Sequence, residues 1–92
     1  MNIAYKFNDQ ILDLKEEVNG DDFEFTLTFF DNNWKKEIEK IREYFNSNTI
    51  LTDIHIYIHP NNKIQIIVRK DFYNEFLIQL FRQQLVQEIK WI

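Results

Sequence analysis

The sequence predicts an α+β fold, a two-layer sandwich of one antiparallel sheet with two helices on one face. Three observations carry this. First, Asp22 to Phe30 reads DFEFTLTFF, with Phe23, Phe25, Leu27 and Phe29 alternating with Asp22, Glu24, Thr26 and Thr28. That period of two marks a strand with one apolar face and one polar face. Second, Trp34, Ile38, Ile41 and Phe45, and again Phe72, Phe76, Leu77 and Leu80, recur at helical spacing. Third, turn-forming segments separate the remaining alternating runs. The predicted order is β-β-β-α-β-β-α, with a sixth C-terminal strand as an extension. The competing arrangement is a ferredoxin-like β-α-β-β-α-β core over residues 22–92 with an N-terminal appendage. It requires the last segment to be a strand.

The first strand starts near Asn2 and carries Ile3, Tyr5 and Phe7 on one face. Asn8-Asp9 suits a two-residue turn, which pairs Phe7 with Gln10, Tyr5 with Leu12 and Ile3 with Leu14. Leu12, Leu14 and Val18 then alternate with charged residues in a second strand. A helix over residues 10–18, stopped by Gly20, is the alternative reading of that stretch. Asn19-Gly20 is a strong hairpin signal. Closed there, it pairs Val18 with Asp21, Glu16 with Phe23, Leu14 with Phe25 and Leu12 with Leu27. The N-terminal third therefore reads as a three-stranded meander.

The first helix runs from about Trp34 to Asn46-Ser47-Asn48, with Lys35–Glu39 and Glu39–Arg42 as candidate pairs on its exposed face. Thr52 to Arg69 reads as a second hairpin around Pro60-Asn61-Asn62. A three-residue loop pairs Ile58 with Ile64 and Ile56 with Ile66, with Asn62 in the left-handed conformation. Asp71 is the expected N-cap of the last helix. From Val86 onward the pattern fits a continued helix or an edge strand equally. Trp91 and Ile92 are expected to dock on the core.

At 92 residues the chain is read as one domain, 1–92. It has no cysteine, hence no disulfide framework. MNIAYKFND lacks the features of a signal peptide, and no apolar run has the length of a membrane span. A cytoplasmic, non-membrane protein is expected. The net charge of −4 is uneven: residues 1–31 carry eight acidic and two basic side chains, residues 32–92 seven and nine. A net acidic chain is a poor general binder of nucleic acid.

No catalytic constellation is legible. Gly20 is the only glycine, so there is no phosphate-cradling loop, and Ser47 is most simply a turn residue. His55 and His59, four apart on a strand, are separated by roughly 13 Å, too far to share one ion directly. Neither metal nor cofactor is expected, and no enzymatic activity. The polar sheet face is more informative. Asp13, Glu17, Asp22 and Glu24, tempered by Lys15, form a candidate acidic surface for a basic protein partner. Tyr57, with Ile67 and Phe30, is a candidate apolar patch on the same face. The functional expectation is a small protein-binding protein, in its most specific form an inhibitor or immunity-type protein. The alternative is a homo-oligomeric ligand-binding or regulatory module, with copies paired through the sheet face or the C-terminal tail.

Overall fold

The structure is a computed structural model that describes residues 3–48 and 54–92, the side chains of residues 47 and 48 excepted. The expected strand starts at Asn2 and Thr52, and the Ser47 side chain, lie outside the described residues. The elements are β1 (Ile3–Phe7), β2 (Leu12–Asn19), β3 (Asp22–Phe29), α1 (Lys35–Asn48), β4 (Ile54–His59), β5 (Lys63–Arg69), α2 (Tyr73–Arg82) and β6 (Val86–Trp91). Four strands form one antiparallel sheet in the order β2-β3-β5-β4, and β1 pairs with β6 in a separate ribbon. The α+β architecture is as predicted, with strand rather than helix over residues 12–19.

β3 lies inside the sheet, between β2 and β5. Its inward residues Phe25 and Leu27 are fully buried, and Phe29 nearly so. They meet Ile64, Ile66 and Val68 of β5 and the apolar stripes of both helices in one core. Phe25 and Phe76 of α2 have ring centroids 4.7 Å apart, and Phe29 stacks on Trp34 at 6.0 Å. Trp34 Nε1 donates to Asn62 Oδ1 at 3.0 Å, which ties the entrance of α1 to the β4–β5 loop. Arg42 and Glu39 pair at 3.2 Å on the exposed side of α1. Both helices pack on the same face of the sheet, so the opposite face has no helical cover.

The β4–β5 hairpin has the expected register, Ile58 opposite Ile64 and Ile56 opposite Ile66. Asn62 takes φ 61° as expected, and Asn61 takes φ 65° beside it. In the β2–β3 hairpin the turn is displaced. Gly20 and Asp21 form the loop, and the last paired residues are Asn19 and Asp22. Gly20 alone has positive φ, +64°, the pattern of a type II′ turn with glycine first. The register is therefore shifted by two from expectation: Val18 faces Phe23, Leu14 faces Leu27 and Leu12 faces Phe29. A shift of two preserves every face, so the hydrophobic pattern could not detect it.

The expected β1–β2 hairpin does not form. Asn8 instead donates its N–H to the Leu85 carbonyl at 2.9 Å, and β1 runs antiparallel to β6, Tyr5 opposite Ile89. The chain then turns, with Ile11 N–H donating to the Asn8 carbonyl at 3.1 Å, before β2 begins. Side-chain alternation reports which face of β1 is apolar; it does not report which strand satisfies the backbone. The ferredoxin-like alternative is overturned for the same reason. β6 is a strand, but β2 occupies the place beside β3 that it would need.

Asp71 is not a cap. Lys70–Phe72 form a 3-10 turn that leads into α2, and no side chain caps either start. The end of α2 is well defined. Gln84 N–H donates to the Phe81 carbonyl at 3.0 Å and Leu85 N–H to the Leu80 carbonyl at 2.9 Å. This is a Schellman motif with Gln84 at φ 64° where glycine is usual, and with buried Leu85 next to buried Leu80. It reverses the chain into β6, a stop that the sequence does not announce. Trp91 and Ile92 are not docked: they are 63% and 69% exposed.

Candidate functional site

The open face of the four-stranded sheet is built from alternate residues on all four strands. Because the pairings are regular, its side chains fall into rows across the strands in the order β2, β3, β5, β4. One row is Glu17, Glu24, Ile67, His55. The next is Lys15, Thr26, Gln65, Tyr57, and the third is Asp13, Thr28, Lys63, His59. Beyond Glu24, Asp22 faces Arg69.

Glu17 and Glu24 are directly opposite, and Asp22 is the next residue of β3 on that face. Like charges directly opposite destabilise a sheet. Among the described residues none of these carboxylates has a salt bridge; the ion pairs found, Arg42–Glu39 and Lys90–Glu88, lie elsewhere. Asp13 stands on β2 two rows from Glu17, roughly 13 Å along the strand. Tyr57 is not beside the acids. It is on the far edge strand, two strand spacings or about 10 Å from β3. It is 49% exposed and lies diagonal to Ile67, whereas Phe30 projects beyond the end of β3 in another row. The expected Tyr57–Ile67–Phe30 patch is thus a Tyr57–Ile67 pair.

A hydrogen-bonded chain crosses the centre of the face. Gln65 donates its amide Nε2 to Glu24 Oε1, and its Oε1 lies 3.0 Å from His59 Nε2. A carboxylate only accepts, so Gln65 must turn its NH2 to Glu24 and its oxygen to His59. His59 then carries its proton on Nε2. This chain links β3, β5 and β4 and fixes three side chains in the middle of an otherwise solvated surface.

A second polar cluster lies at the side of the sandwich. Glu16, on the inward face of β2, accepts from the Tyr5 hydroxyl at 2.7 Å and from the Tyr73 hydroxyl at 2.9 Å on the same oxygen. Burial, then the hydrogen bond to Glu16 and its negative charge, push both phenols well above the ordinary tyrosine range. Sequence reasoning missed this cluster. The available signal was Glu16 itself, a charge in the register of Leu12 and Leu14. With both phenols spent on it, the carboxylate works as a tie between β1, β2 and α2.

One concavity of about 250 Å³ is lined by two carboxylates, Asp31 and Glu37, together with Trp34 and the amides of Asn8 and Gln83. Asp31 accepts the Asn33 backbone N–H at 2.9 Å. The lining contains no histidine, serine, tyrosine or lysine to complete a nucleophilic or general-base pair. No described helix is long and apolar enough to cross a membrane. Compared with protein-family models, curated proteins and solved structures, the chain matches none of them.

Proposed function

We propose that this protein acts by binding another protein through the open face of its four-stranded sheet, without catalysing a reaction. Asp13, Glu17, Asp22 and Glu24 meet cations of the partner, and Tyr57 with Ile67 adds apolar contact on the β4 side. The observation that carries the reading is the Glu17–Glu24 pair, two carboxylates opposed across strands with no cation of their own. Such a pair costs stability in the free protein and is relieved by a positive surface, which also speeds encounter. The centre of the face is already ordered by the Glu24–Gln65–His59 chain, so less side-chain freedom is lost on docking. Masking a basic site on an enzyme, as an inhibitor or immunity-type protein does, is the most specific form of this reading.

The test compares affinity capture from the protein's own cell lysate by the native chain and by a variant carrying Asp13→Asn, Glu17→Gln, Asp22→Asn and Glu24→Gln. The native chain should retain a stoichiometric partner at low salt and release it at high salt. The variant should not retain it. Equal retention by both would exclude the acidic face as the binding surface.

A further inference from the structure

We infer that the cationic surface that fits this face is the other half of the same face on a second copy of the chain. The inference rests on the open sheet face being the docking surface; it adds the identity of the partner. On the β2–β3 half, Asp13, Glu17, Asp22 and Glu24 against Lys15 leave a charge of −3. On the β5–β4 half, Lys63 and Arg69 give +2 before either histidine is counted. The face is therefore polarised across its strands.

Polarisation selects one symmetric arrangement. Two copies stacked face to face can be related by a two-fold axis lying between the sheets. An axis perpendicular to the strands would place β2 over β2 and acid over acid. An axis parallel to the strands, between β3 and β5, lays each row over its own reverse. Glu17 then stands over His55 of the second copy, Asp13 over its His59, and Asp22 over its Arg69, while Glu24 stands over its Ile67, one row from Arg69, and Thr28 over its Lys63, beside Asp13 in the same row. Lys15 falls over the Tyr57 ring, a cation on an aromatic face. Each of these contacts occurs twice, because a two-fold interface is isologous. Aligned stacking of sheets at about 10 Å, with a rotation near 30°, is a standard packing and brings long side chains from both faces into reach.

The chemistry of the surface sets its strength. The four strands span about 19 Å at the usual spacing, so the buried patch is at the small end for specific interfaces. Its contacts are polar and charged. The dimer is therefore a weak, salt-sensitive one, in rapid exchange with monomer.

Charge exchange between opposite edges of the sheet tests it. Glu17 and His55 are both exposed and lie three strand spacings apart, about 14 Å, so the two substituted positions do not reach each other within one chain. The cross-strand contact that Glu17→Lys gains with Glu24 is present in that variant alone and in the mixture alike, so the comparison of the two cancels it. Sedimentation equilibrium at low salt should show concentration-dependent association of the native chain, weakened by added salt. Glu17→Lys alone places lysine over His55 of the second copy, and His55→Glu alone places glutamate over Glu17. Each should weaken association about tenfold or more. An equimolar mixture of the two variants restores complementary contacts at both sites and should associate nearly as well as the native chain. Circular dichroism should show both variants folded. A native mass independent of concentration at low salt would overturn the inference, as would a mixture no better than its components. If the native chain is monomeric yet captures a basic protein that the neutralised variant does not, self-pairing fails and the binding function stands. If it neither associates nor captures anything through this face, both fail.

Discussion

Tyr5 and Tyr73, one from the first strand and one from the first residue of α2, give their hydroxyls to the same oxygen of Glu16, at 2.7 Å and 2.9 Å. The β1–β6 ribbon is a separate sheet from the four-stranded one, and this three-residue tie joins it to β2 and α2. The tie is the reason that a charged residue occupies an inward position of β2.

Removing Glu16 should therefore cost more than a surface glutamate would. Glu16→Ala leaves two partly buried phenols without their acceptor, and we expect a loss of about 1–3 kcal/mol. Glu16→Gln keeps an acceptor oxygen and should cost less. Urea unfolding with an unchanged m-value would measure both. A Glu16→Ala midpoint equal to that of the native chain would show that the tie contributes nothing net.

The same cluster predicts alkaline sensitivity. Both phenols have folded-state pKa values raised above the unfolded value near 10. Below that value folded and unfolded chains bind the same tyrosine protons, and the contribution is fully present. Above it the unfolded chain loses protons that the folded chain keeps, so stability falls as pH rises. Stability measured from pH 9 to higher values should decline, and the Tyr5→Phe, Tyr73→Phe double variant should decline less steeply.

Asn62 combines two roles that substitution can separate. It holds φ 61° and accepts the Trp34 indole hydrogen at 3.0 Å. Asn62→Gly keeps the backbone conformation and loses the side-chain bond, at a cost of about 1 kcal/mol. Asn62→Ala loses both, and should cost about 2 kcal/mol. Equal losses for the two variants would mean that the backbone conformation contributes little.

Gln84 offers the opposite experiment. It is a side-chain-bearing residue at φ 64° in the Schellman motif that ends α2. Glycine adopts that conformation without steric cost, so Gln84→Gly should stabilise the protein by about 0.5–1 kcal/mol and raise Tm by a few degrees, about 4 °C. A fall in Tm would reveal a stabilising contact made by the Gln84 side chain.

Local pattern in the sequence determined the elements other than β2 and β6, for which it fitted helix as well as strand. The alternation of Phe25, Leu27 and Phe29, the stripe from Trp34 to Phe45, and the length of the Pro60–Asn62 loop state which residues face inward, because side-chain direction follows directly from backbone period. The acidic side chains of the open face were legible in the same way. Tertiary structure alone decided the partners. Whether β1 completes its hydrogen bonds with β2 or β6 depends on where α2 ends, and α2 ends at Arg82 because the chain turns at Gln84, a residue with no intrinsic preference for the left-handed conformation it takes. The β2–β3 register differs by two from the one that a turn closed at Asn19-Gly20 gives, and alternation could not correct it, since a shift of two leaves every face unchanged. The Tyr5–Glu16–Tyr73 tie and the separation of acidic and basic halves across the sheet both follow from strand order, which local alternation does not encode.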